Sequence, residues 1–361
     1  MSDEADIRYM RMVLRLAEKA AGRTSPNPMV GALLVRGRKV VATGYHRRAG
    51  GDHAEIDALK RAGRNARGAT LYLNLEPCSH YGRTPPCVEA LIAAKIKRIV
   101  AGMADPNPLV SGRGFRRLRQ AGVRVHSGVL EAESRRLNEA FIKYITRGLP
   151  FVLLKAAASL DGKTATVTGS SRWVTGRAAR RRVHELRNRF DAVVVGVGTV
   201  IADDPQLTCR IPGGRNPVRI VIDPRLRIPL TSRVLKEPGR TVIVAGARPP
   251  ERKAARLESL GAEVWRMPSR RDRIAFAAVL KKIAEQEMVS VMIEGGAITA
   301  GRALAAKVVD KIAFFYAPKI VGGDGLPIVS SLGIKQMGQS RPVQNIEIET
   351  IGNDILLTGY L

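Results

Sequence analysis

Cysteine is scarce in this 361-residue sequence, which contains only Cys78, Cys87 and Cys209. Three thiols cannot build a disulfide framework for a chain of this length, and this indicates a reducing compartment. The first residues, Met-Ser-Asp-Glu-Ala-Asp, are acidic and lack the apolar core of a secretory signal. The most apolar run, residues 192–202, is too short to span a bilayer. We therefore expect a soluble, cytoplasmic protein with no membrane partner.

Acidic residues are also scarce, because 32 Asp and Glu face 60 Lys and Arg and give a net charge of +28. Such an excess raises the question of a nucleic-acid partner. The basic residues do not form a tail, however, and they cluster only mildly in residues 113–119 and 177–189, which also carry helical apolar spacing. This distribution favours solvated faces and some binding of phosphorylated small molecules over a nucleic-acid partner.

What the chain has in quantity is apolar sequence, since hydrophobic residues make up 45% of it and charged residues 25%. A chain of this length and composition can bury the cores of two domains. Helix and strand signals alternate on both sides of Arg147-Gly148-Leu149-Pro150. The sequence therefore predicts two α/β domains, residues 1–147 and 148–361.

Apolar periodicity predicts individual elements that the structure can test. Helical spacing favours helices over residues 5–21, 131–145 and 272–287. Residues 345–361 read as a closing antiparallel strand pair that turns at Gly352-Asn353.

One imidazole and two thiols, His53, Cys78 and Cys87, form a three-ligand set suited to a catalytic zinc with an open fourth position. Glu55, two residues after the histidine, is a candidate proton carrier beside that position. Zinc deaminases of nucleobases share the His-x-Glu and Pro-Cys pattern but space their thiols Cys-x-x-Cys. Here eight residues separate Cys78 from Cys87. His53, Glu55 and Cys87 are each predicted at a helix start, where the helix dipole favours thiolate over thiol.

Two further readings of this set stay open on the residues alone. A nucleic-acid deaminase with a basic surface would explain the charge and the His-Ala-Glu triplet, but not the cysteine spacing or the second domain. A non-catalytic protein with a degenerate site would bind zinc stoichiometrically without turnover, although the complete set of His53, Glu55, Cys78 and Cys87 argues against it.

Several segments carry a resemblance to a known family. They are Thr24-Ser-Pro-Asn-Pro-Met-Val-Gly31, Gly44-Tyr-His46, His53-Ala-Glu55, Cys78-Ser-His-Tyr-Gly-Arg-Thr-Pro-Pro-Cys87, Ala158-Ser-Leu-Asp-Gly-Lys163, Ser171-Arg-Trp173, Ala202-Asp-Asp-Pro205, Glu294-Gly-Gly296 and Ala317-Pro-Lys319. In this order they resemble the bifunctional deaminase/reductase family of riboflavin biosynthesis over essentially the whole chain. The resemblance implies a cytidine-deaminase-like α/β/α domain followed by a dihydrofolate-reductase-like α/β domain.

For the first domain, the resemblance implies hydrolytic deamination of 2,5-diamino-6-(5-phosphoribosylamino)pyrimidin-4-one. Zinc on His53, Cys78 and Cys87 would activate water, and Glu55 would carry the proton to the leaving ammonia. Asn27 is expected to bind the pyrimidine or the ribose. Three neighbours could contact the ring or phosphate, or could simply order their loops: His46, His80 and Arg83.

For the second domain, the resemblance implies NADPH-dependent reduction of the ribosyl side chain to ribityl. The expected NADPH contacts are Ala157, Trp173, Thr199, Asp203, Gly296, Ala297, Ile298, Thr299, Ala300, Gly301 and Arg302. The expected substrate contacts in this domain are Ser171, Arg187, Leu207, Arg210 and Glu294. Pro224 stands where the family often has Ser or Thr, so a hydroxyl contact to the cofactor is missing there. A homo-oligomer is also expected.

Overall fold

The computed structural model describes residues 4–79, 86–108 and 111–361, so the candidate residues His80 and Arg83 lie outside the described part. The chain divides into two units, Met1–Leu149 and Pro150–Leu361. Each unit is built around its own mixed β-sheet.

The first unit wraps helices around a five-stranded sheet with the order β2-β1-β3-β4-β5. Its elements are α1 Glu4–Glu18, β1 Gly31–Arg36, β2 Lys39–Tyr45, α2 Ala54–Ala62, β3 Thr70–Leu75, α3 Cys87–Ala93, β4 Arg98–Met103, α4 Arg113–Gln120, β5 Arg124–Ser127, α5 Glu131–Leu137 and α6 Glu139–Arg147. Strands β3, β4 and β5 run parallel, whereas β1 pairs antiparallel with both β2 and β3.

Both faces of this sheet are buried, because successive side chains of each strand enter different cores. Ala32 and Leu34 of β1 join the core that α2, α3 and α4 cover. Leu33 and Val35 join the core on the opposite face, which contains Met10 and Val13 of α1. The unit is therefore a three-layer α/β/α structure.

Gly44 allows α2 to lie directly on β2. A Cβ atom at this position would lie 2.3 Å from the carbonyl oxygen of Ala54 and 2.5 Å from the backbone nitrogen of Ala58. Only glycine fits such an approach of helix backbone to strand. Because His53 and Glu55 stand at the start of α2, this contact fixes their position against the sheet.

The single helix predicted over residues 131–145 is wrong, because the structure has α5 and α6 with a break at Asn138. The Asn138 amide donates to the carbonyl oxygen of Met29 (3.0 Å) and accepts from the Met29 N–H (2.8 Å). Asn74 donates to the same carbonyl oxygen at 2.9 Å. The break therefore supplies an anchor for the loop that carries Asn27.

The second unit contains a nine-stranded sheet with the order β11-β10-β9-β8-β14-β6-β15-β18-β17. Its elements are β6 Phe151–Ser159, β7 Lys163–Ala165, α7 Arg177–Arg189, β8 Ala192–Gly196, α8 Val197–Asp203, β9 Val218–Ile222, α9 Arg233–Lys236, β10 Thr241–Gly246, α10 Glu251–Ser259, β11 Glu263–Met267, β12 Ser269–Arg270, β13 Arg273–Ile274, α11 Phe276–Ala284, β14 Ser290–Ile293, α12 Ala297–Ala305, β15 Lys311–Ala317, β16 Leu326–Pro327, β17 Gln344–Ile351 and β18 Asp354–Tyr360. The predicted closing strand pair is confirmed as β17 and β18.

The seven neighbouring strands β11-β10-β9-β8-β14-β6-β15 are parallel to one another. The loops that follow these strands therefore meet at one edge of the sheet. This is the edge where ligands bind in open α/β sheets. Within the part of the chain that the structure describes, no helix combines the length and apolar character needed to cross a bilayer.

The helix predicted over residues 272–287 is wrong at its start. Residues 269–274 instead form the β12–β13 hairpin, with Ser269 opposite Ile274, and the helix begins at Phe276. Arg271 and Asp272 have φ values of +48° and +57°. Positive φ at both central residues is typical of a two-residue hairpin turn. Asp272 therefore belongs to the turn rather than to the first turn of the helix.

We expect Gly44→Ala to lower the free energy of unfolding by about 1–3 kcal/mol, because the added methyl group overpacks the contact between α2 and β2. Thermal and urea unfolding of the full chain measure this. Gly338→Ala is the matched control, since a methyl group there meets no atom within 4 Å. Equal stability of the two variants would contradict the close approach.

Candidate active sites

The first site forms where three elements bring an imidazole and two thiols together. His53 caps α2, Cys87 is the first residue of α3, and Cys78 follows β3. The His53 Nδ1 lies 3.1 Å from the Cys87 Sγ and 3.6 Å from the Cys78 Sγ, and the three ligand atoms all lie within 4.8 Å of one another. A tetrahedral zinc with ordinary bonds separates its N and S ligands by about 3.5 Å. The predicted three residues are therefore close enough to share one ion.

The protonation of this cluster also suits a metal. The hydrogen bond with Cys87 lowers the pKa of Cys78 to about 4, and the same bond raises the pKa of Cys87. The hydrogen bond with Cys78 raises the pKa of His53. Because zinc binds thiolates and displaces thiol protons, the donor set fits zinc.

Glu55 lies in the first turn of α2 and is 4% exposed. Burial raises its pKa to about 7, and its carboxylate shares a hydrogen bond with the Cys87 thiol. A carboxyl group with a pKa near neutrality can both accept and release a proton at working pH. The structure therefore places a proton carrier directly beside the predicted metal position.

Glu76 is a buried residue that the sequence pattern did not reveal. Its carboxylate accepts hydrogen bonds from the backbone N–H groups of Asp105 (3.1 Å), Gly112 (2.9 Å) and Phe115 (3.1 Å). It thereby joins the end of β3 to the start of α4, two residues before Cys78. The sequence did contain one sign of this residue, because Glu76 is a single carboxylate at the end of an apolar strand and directly precedes Pro-Cys.

Asn27 and His46 lie next to the metal cluster. The Asn27 amide nitrogen is 3.1 Å from the His46 Nε2, and the His46 Nδ1 is 2.9 Å from the carbonyl oxygen of Asp52. A neutral ring that donates from Nδ1 accepts at Nε2, so the Asn27 NH₂ faces His46 and its carbonyl oxygen is the atom that can accept from a ligand. Burial lowers the pKa of His46, which favours this neutral form. The His46 and His53 rings are 5.7 Å apart.

The second site forms around Glu294, which follows β14 and whose side chain is 4% exposed. Arg187 of α7 donates from Nε and Nη2 to the Glu294 Oε2 at 2.9 and 2.8 Å. The Lys155 Nζ lies 3.1 Å from the Glu294 Oε1. Arg187 also donates to the carbonyl oxygen of Thr208 at 3.0 Å. The structure therefore brings Arg187 and Glu294 together, and it adds Lys155, which sequence reasoning missed although it is the only charged residue of the apolar strand β6.

The charges of this group are mutually dependent. Burial alone would raise the pKa of Glu294, but the cations Arg187 and Lys155 outweigh it and bring the pKa to about 2. Glu294 is therefore a carboxylate at any pH at which the protein works. Its two cations are neutralised only as long as that carboxylate is present.

The residues predicted to bind NADPH lie around the corners where β8 leads into α8 and β14 into α12. The Gly296 N–H donates to the Thr199 Oγ1 at 3.2 Å and joins these corners. A Cβ at Gly295 would lie 2.5 Å from the Thr299 Cβ, so glycine is needed for the close approach. Such a glycine-lined helix start suits the phosphates of a dinucleotide.

The remaining predicted NADPH contacts differ in accessibility. Trp173 is 64% exposed, and the Arg180 guanidinium stacks on it at 4.5 Å. Ala157 on β6 and Asp203 at the end of α8 are half-buried. The α12 residues divide by face: Ala297 and Thr299 are half-buried, Ile298 and Arg302 are exposed, and Ala300 and Gly301 are buried. At Gly301, a Cβ would lie 2.2 Å from the Ser330 Oγ, so this residue packs on protein.

The other predicted substrate contacts are spread over two loops. Ser171 is half-buried and lies two residues before Trp173. Leu207 is 3% exposed, so almost the whole residue is buried in protein. Arg210 is exposed and donates to the Gln206 Oε1 at 2.7 Å, and its backbone N–H faces the His184 Nδ1 at 3.3 Å. The roles of these residues stay predictions.

Comparison with known proteins finds a family model for each unit. The cytidine and deoxycytidylate deaminase zinc-binding region matches residues 3–103, and the RibD C-terminal domain matches residues 150–357. The riboflavin biosynthesis protein RibD of Aquifex aeolicus is 46% identical over 99% of both chains, and that of Bacillus amyloliquefaciens is 43% identical over 97% of this chain and 95% of its own.

Solved structures give the same result. Acinetobacter baumannii RibD has a TM-score of 0.89 at 35% identity and covers 99% of both chains. The diaminohydroxyphosphoribosylaminopyrimidine deaminase/5-amino-6-(5-phosphoribosylamino)uracil reductase of Thermotoga maritima has a TM-score of 0.86 at 37% identity, over 99% of this chain and 98% of its own.

The fold and the two sites define a two-part enzyme, a zinc-dependent deaminase joined to a reductase. More particularly, the chain belongs to the RibD family, and it is a bifunctional enzyme of riboflavin biosynthesis that uses zinc and NADPH. The predicted family, activities, cofactors and fold classes, cytidine-deaminase-like followed by dihydrofolate-reductase-like, are thereby confirmed. The family assignment supports a bifunctional enzyme rather than a nucleic-acid deaminase or a non-catalytic protein.

We expect Glu294→Gln to lower the free energy of unfolding by about 3–5 kcal/mol near neutral pH, because it leaves two buried cations without a counter-charge. Since the folded pKa of about 2 lies below the ordinary 4.5, this stabilisation is present above pH 4.5 and is lost as the pH falls toward 2. Denaturant unfolding at several pH values measures the difference.

Glu251→Gln is the control for this experiment, because Glu251 pairs with Arg266 while 71% exposed. An exposed pair of this kind contributes less than about 1 kcal/mol. Equal losses in the two variants, or a Glu294→Gln deficit that does not shrink in acid, would contradict the account of the buried group.

Proposed function

We propose that the first unit deaminates 2,5-diamino-6-(5-phosphoribosylamino)pyrimidin-4-one and that the second reduces the ribosyl side chain of the product to ribityl. The observation that carries this proposal is the convergence of His53, Cys78 and Cys87 beside the buried Glu55. The RibD family assignment over nearly the full chain supports both the substrate and the order of the two steps. We place the boundary between the two activities at residues 147–148, close to the division between the structural units.

In the deaminase, His53, Cys78 and Cys87 would hold the metal. Bound zinc supplies a Lewis acid that makes water nucleophilic near neutral pH. Glu55 takes a proton from the water that attacks the ring carbon, and it delivers a proton to the departing amine, so that ammonia leaves and a carbonyl forms. The Asn27 carbonyl oxygen, oriented through His46, accepts a hydrogen bond from the pyrimidine or the ribose.

We expect Glu55→Gln to lower the deamination rate by about 10²–10⁴-fold, because the amide cannot carry the proton. Zinc content and the reductase rate should stay unchanged. Ammonia release, metal analysis and NADPH oxidation measure the three quantities separately. Glu89→Gln on α3 is the control, since this carboxylate is exposed and pairs with Arg117. Full deamination by Glu55→Gln would remove Glu55 from the mechanism.

In the reductase, the group of Lys155, Arg187 and Glu294 would lie against the sugar that is reduced. NADPH supplies the hydride when bound. Glu294 is fixed as a hydrogen-bond acceptor for sugar hydroxyls, because Arg187 and Lys155 hold its carboxylate ionised. In the ring-opened sugar, C1 is doubly bonded to the amine nitrogen, and Lys155 would supply the proton that this nitrogen gains on reduction. Arg210, which is exposed next to the site, is suited to bind the substrate phosphate.

The test of the two-step proposal is to follow ammonia release and NADPH oxidation separately, with the purified protein and the diaminopyrimidinone phosphate. We expect both signals in sequence. Treatment with a zinc chelator should abolish ammonia release, whereas reduction of the already deaminated intermediate continues. Loss of both activities on chelation, or NADPH oxidation without ammonia release, would contradict the assignment of one step to each unit.

We also propose that the protein works as a homo-oligomer in the cytoplasm, where its metal-binding thiols stay reduced. Strand β17 supports this proposal, because it is an edge of the nine-stranded sheet and exposes Ile346 and Ile348, at 54% and 68%. Exposed apolar edge strands invite pairing. We expect Ile348→Glu to lower the molar mass measured by light scattering, and Gln344→Glu to leave it unchanged. A monomeric native protein would contradict the proposal.

A further inference from the structure

A basic pocket lies at the β12–β13 hairpin of the second unit, which follows strand β11 of the nine-stranded sheet. It has a volume of about 420 Å³ and is lined by Arg270, Arg271, Arg273, Ile274 and Ala275. Three of these five lining residues are arginines, whose guanidinium groups suit an anion with several oxygen atoms. All three arginines belong to the β12–β13 hairpin or its turn.

The hairpin is held against the ends of the neighbouring strands. The Gly246 N–H, at the end of β10, donates to the carbonyl oxygen of Pro224 at 3.0 Å, just beyond β9. A Cβ at Gly246 would lie 2.9 Å from the Ser269 Oγ of the hairpin. Arg225, which follows Pro224, forms an ion pair with Asp272 in the hairpin turn. The pocket is therefore tied to the carboxyl ends of β9 and β10.

The pocket differs from the rest of this arginine-rich surface. Nearby arginines have carboxylate partners, as Arg240 has in Glu263 and Arg266 in Glu251. Across residues 4–79, 86–108 and 111–361, none of the three pocket arginines forms such an ion pair. Like charges gathered without a counter-charge repel one another. An anionic ligand is the partner that would relieve this repulsion.

The position of the pocket fits one part of the reductase cofactor. The predicted phosphate-binding corner, with Gly296 and Thr199, lies at the ends of β14 and β8. Strands β9 and β10 lie one and two positions beyond β8, at distances of about 5 and 10 Å. On the other side of β14, after β15, the cation Lys319 already has a partner, because it donates to the carbonyl oxygen of Trp173 at 2.8 Å. A dinucleotide with its pyrophosphate at Gly296 would therefore reach arginines without ion-pair partners only if its adenosine end extends toward β9 and β10.

From these observations we infer that the β12–β13 hairpin binds the 2′-phosphate of NADPH through Arg270, Arg271 and Arg273. This inference rests on the reductase assignment above and makes the hairpin the element that selects NADPH over NADH. The 2′-phosphate is a monoester with several charged oxygens, whereas NADH has a single hydroxyl at the same place. Guanidinium forks match the former and gain little from the latter. The hairpin also supplies a contact at the end of β9, where Pro224 offers no side-chain hydroxyl.

The test is equilibrium binding of NADPH, NADH and adenosine 2′,5′-bisphosphate to the full-length protein, measured by calorimetry. We expect the triple variant Arg270→Ser, Arg271→Ser, Arg273→Ser to weaken NADPH by about 100-fold and to weaken the bisphosphate similarly. NADH binding should stay within about twofold of the wild type, which also shows that the variant is folded.

A second triple variant, Arg36→Ser, Arg64→Ser, Arg67→Ser, removes the same charge from exposed positions of the first unit and should leave all three affinities unchanged. If NADPH and NADH weaken together in the hairpin variant, or if NADPH binding is unchanged, the inference is wrong while the reductase assignment stands. If the wild-type protein binds no NADPH, the reductase assignment fails as well.

Discussion

Both candidate sites depend on one constraint, which is that a buried charge must have a partner of opposite sign or lose its charge. Glu294 keeps its charge because Arg187 and Lys155 face it, so its pKa falls to about 2. Glu55 faces only the His53 imidazole, which offsets part of the effect of burial, and its pKa rises to about 7. The same physical rule therefore keeps one carboxylate ionised and leaves the other able to gain and lose a proton near neutral pH.

The sequence predicted best the features whose cause is local. His53, Glu55, Cys78 and Cys87 could be assigned because zinc chemistry requires those residue types and because helix starts are visible in the pattern. The break at Asn138 was missed because its cause, Met29, lies 109 residues away in the chain. Lys155 was missed because a single lysine in an apolar strand gives no sign of the carboxylate it will meet. Short-range periodicity contains none of these distant contacts.

The hairpin error has a related cause. An acidic residue followed by apolar spacing is typical of a helix start, and Asp272 fitted that description. The positive φ values at Arg271 and Asp272 show that the turn decided the local structure instead. The ligand contacts that the family resemblance implied also differed in how the structure places them. Glu294 and Arg187 meet in space, whereas the Leu207 side chain and Gly301 turn toward protein, since a matched position does not say which atom faces the ligand.

The Asn138 anchor bears on how this chain can be divided. The deaminase zinc-binding region matched by known proteins ends at residue 103, yet the loop that presents Asn27 is tied down from residue 138. The segment that contains the metal ligands is therefore not a self-sufficient module. A truncation that keeps the ligands but discards α5 and the residue after it would remove the Asn138 contacts that hold the Asn27 loop. The structural unit is therefore longer than the segment that the family model matches.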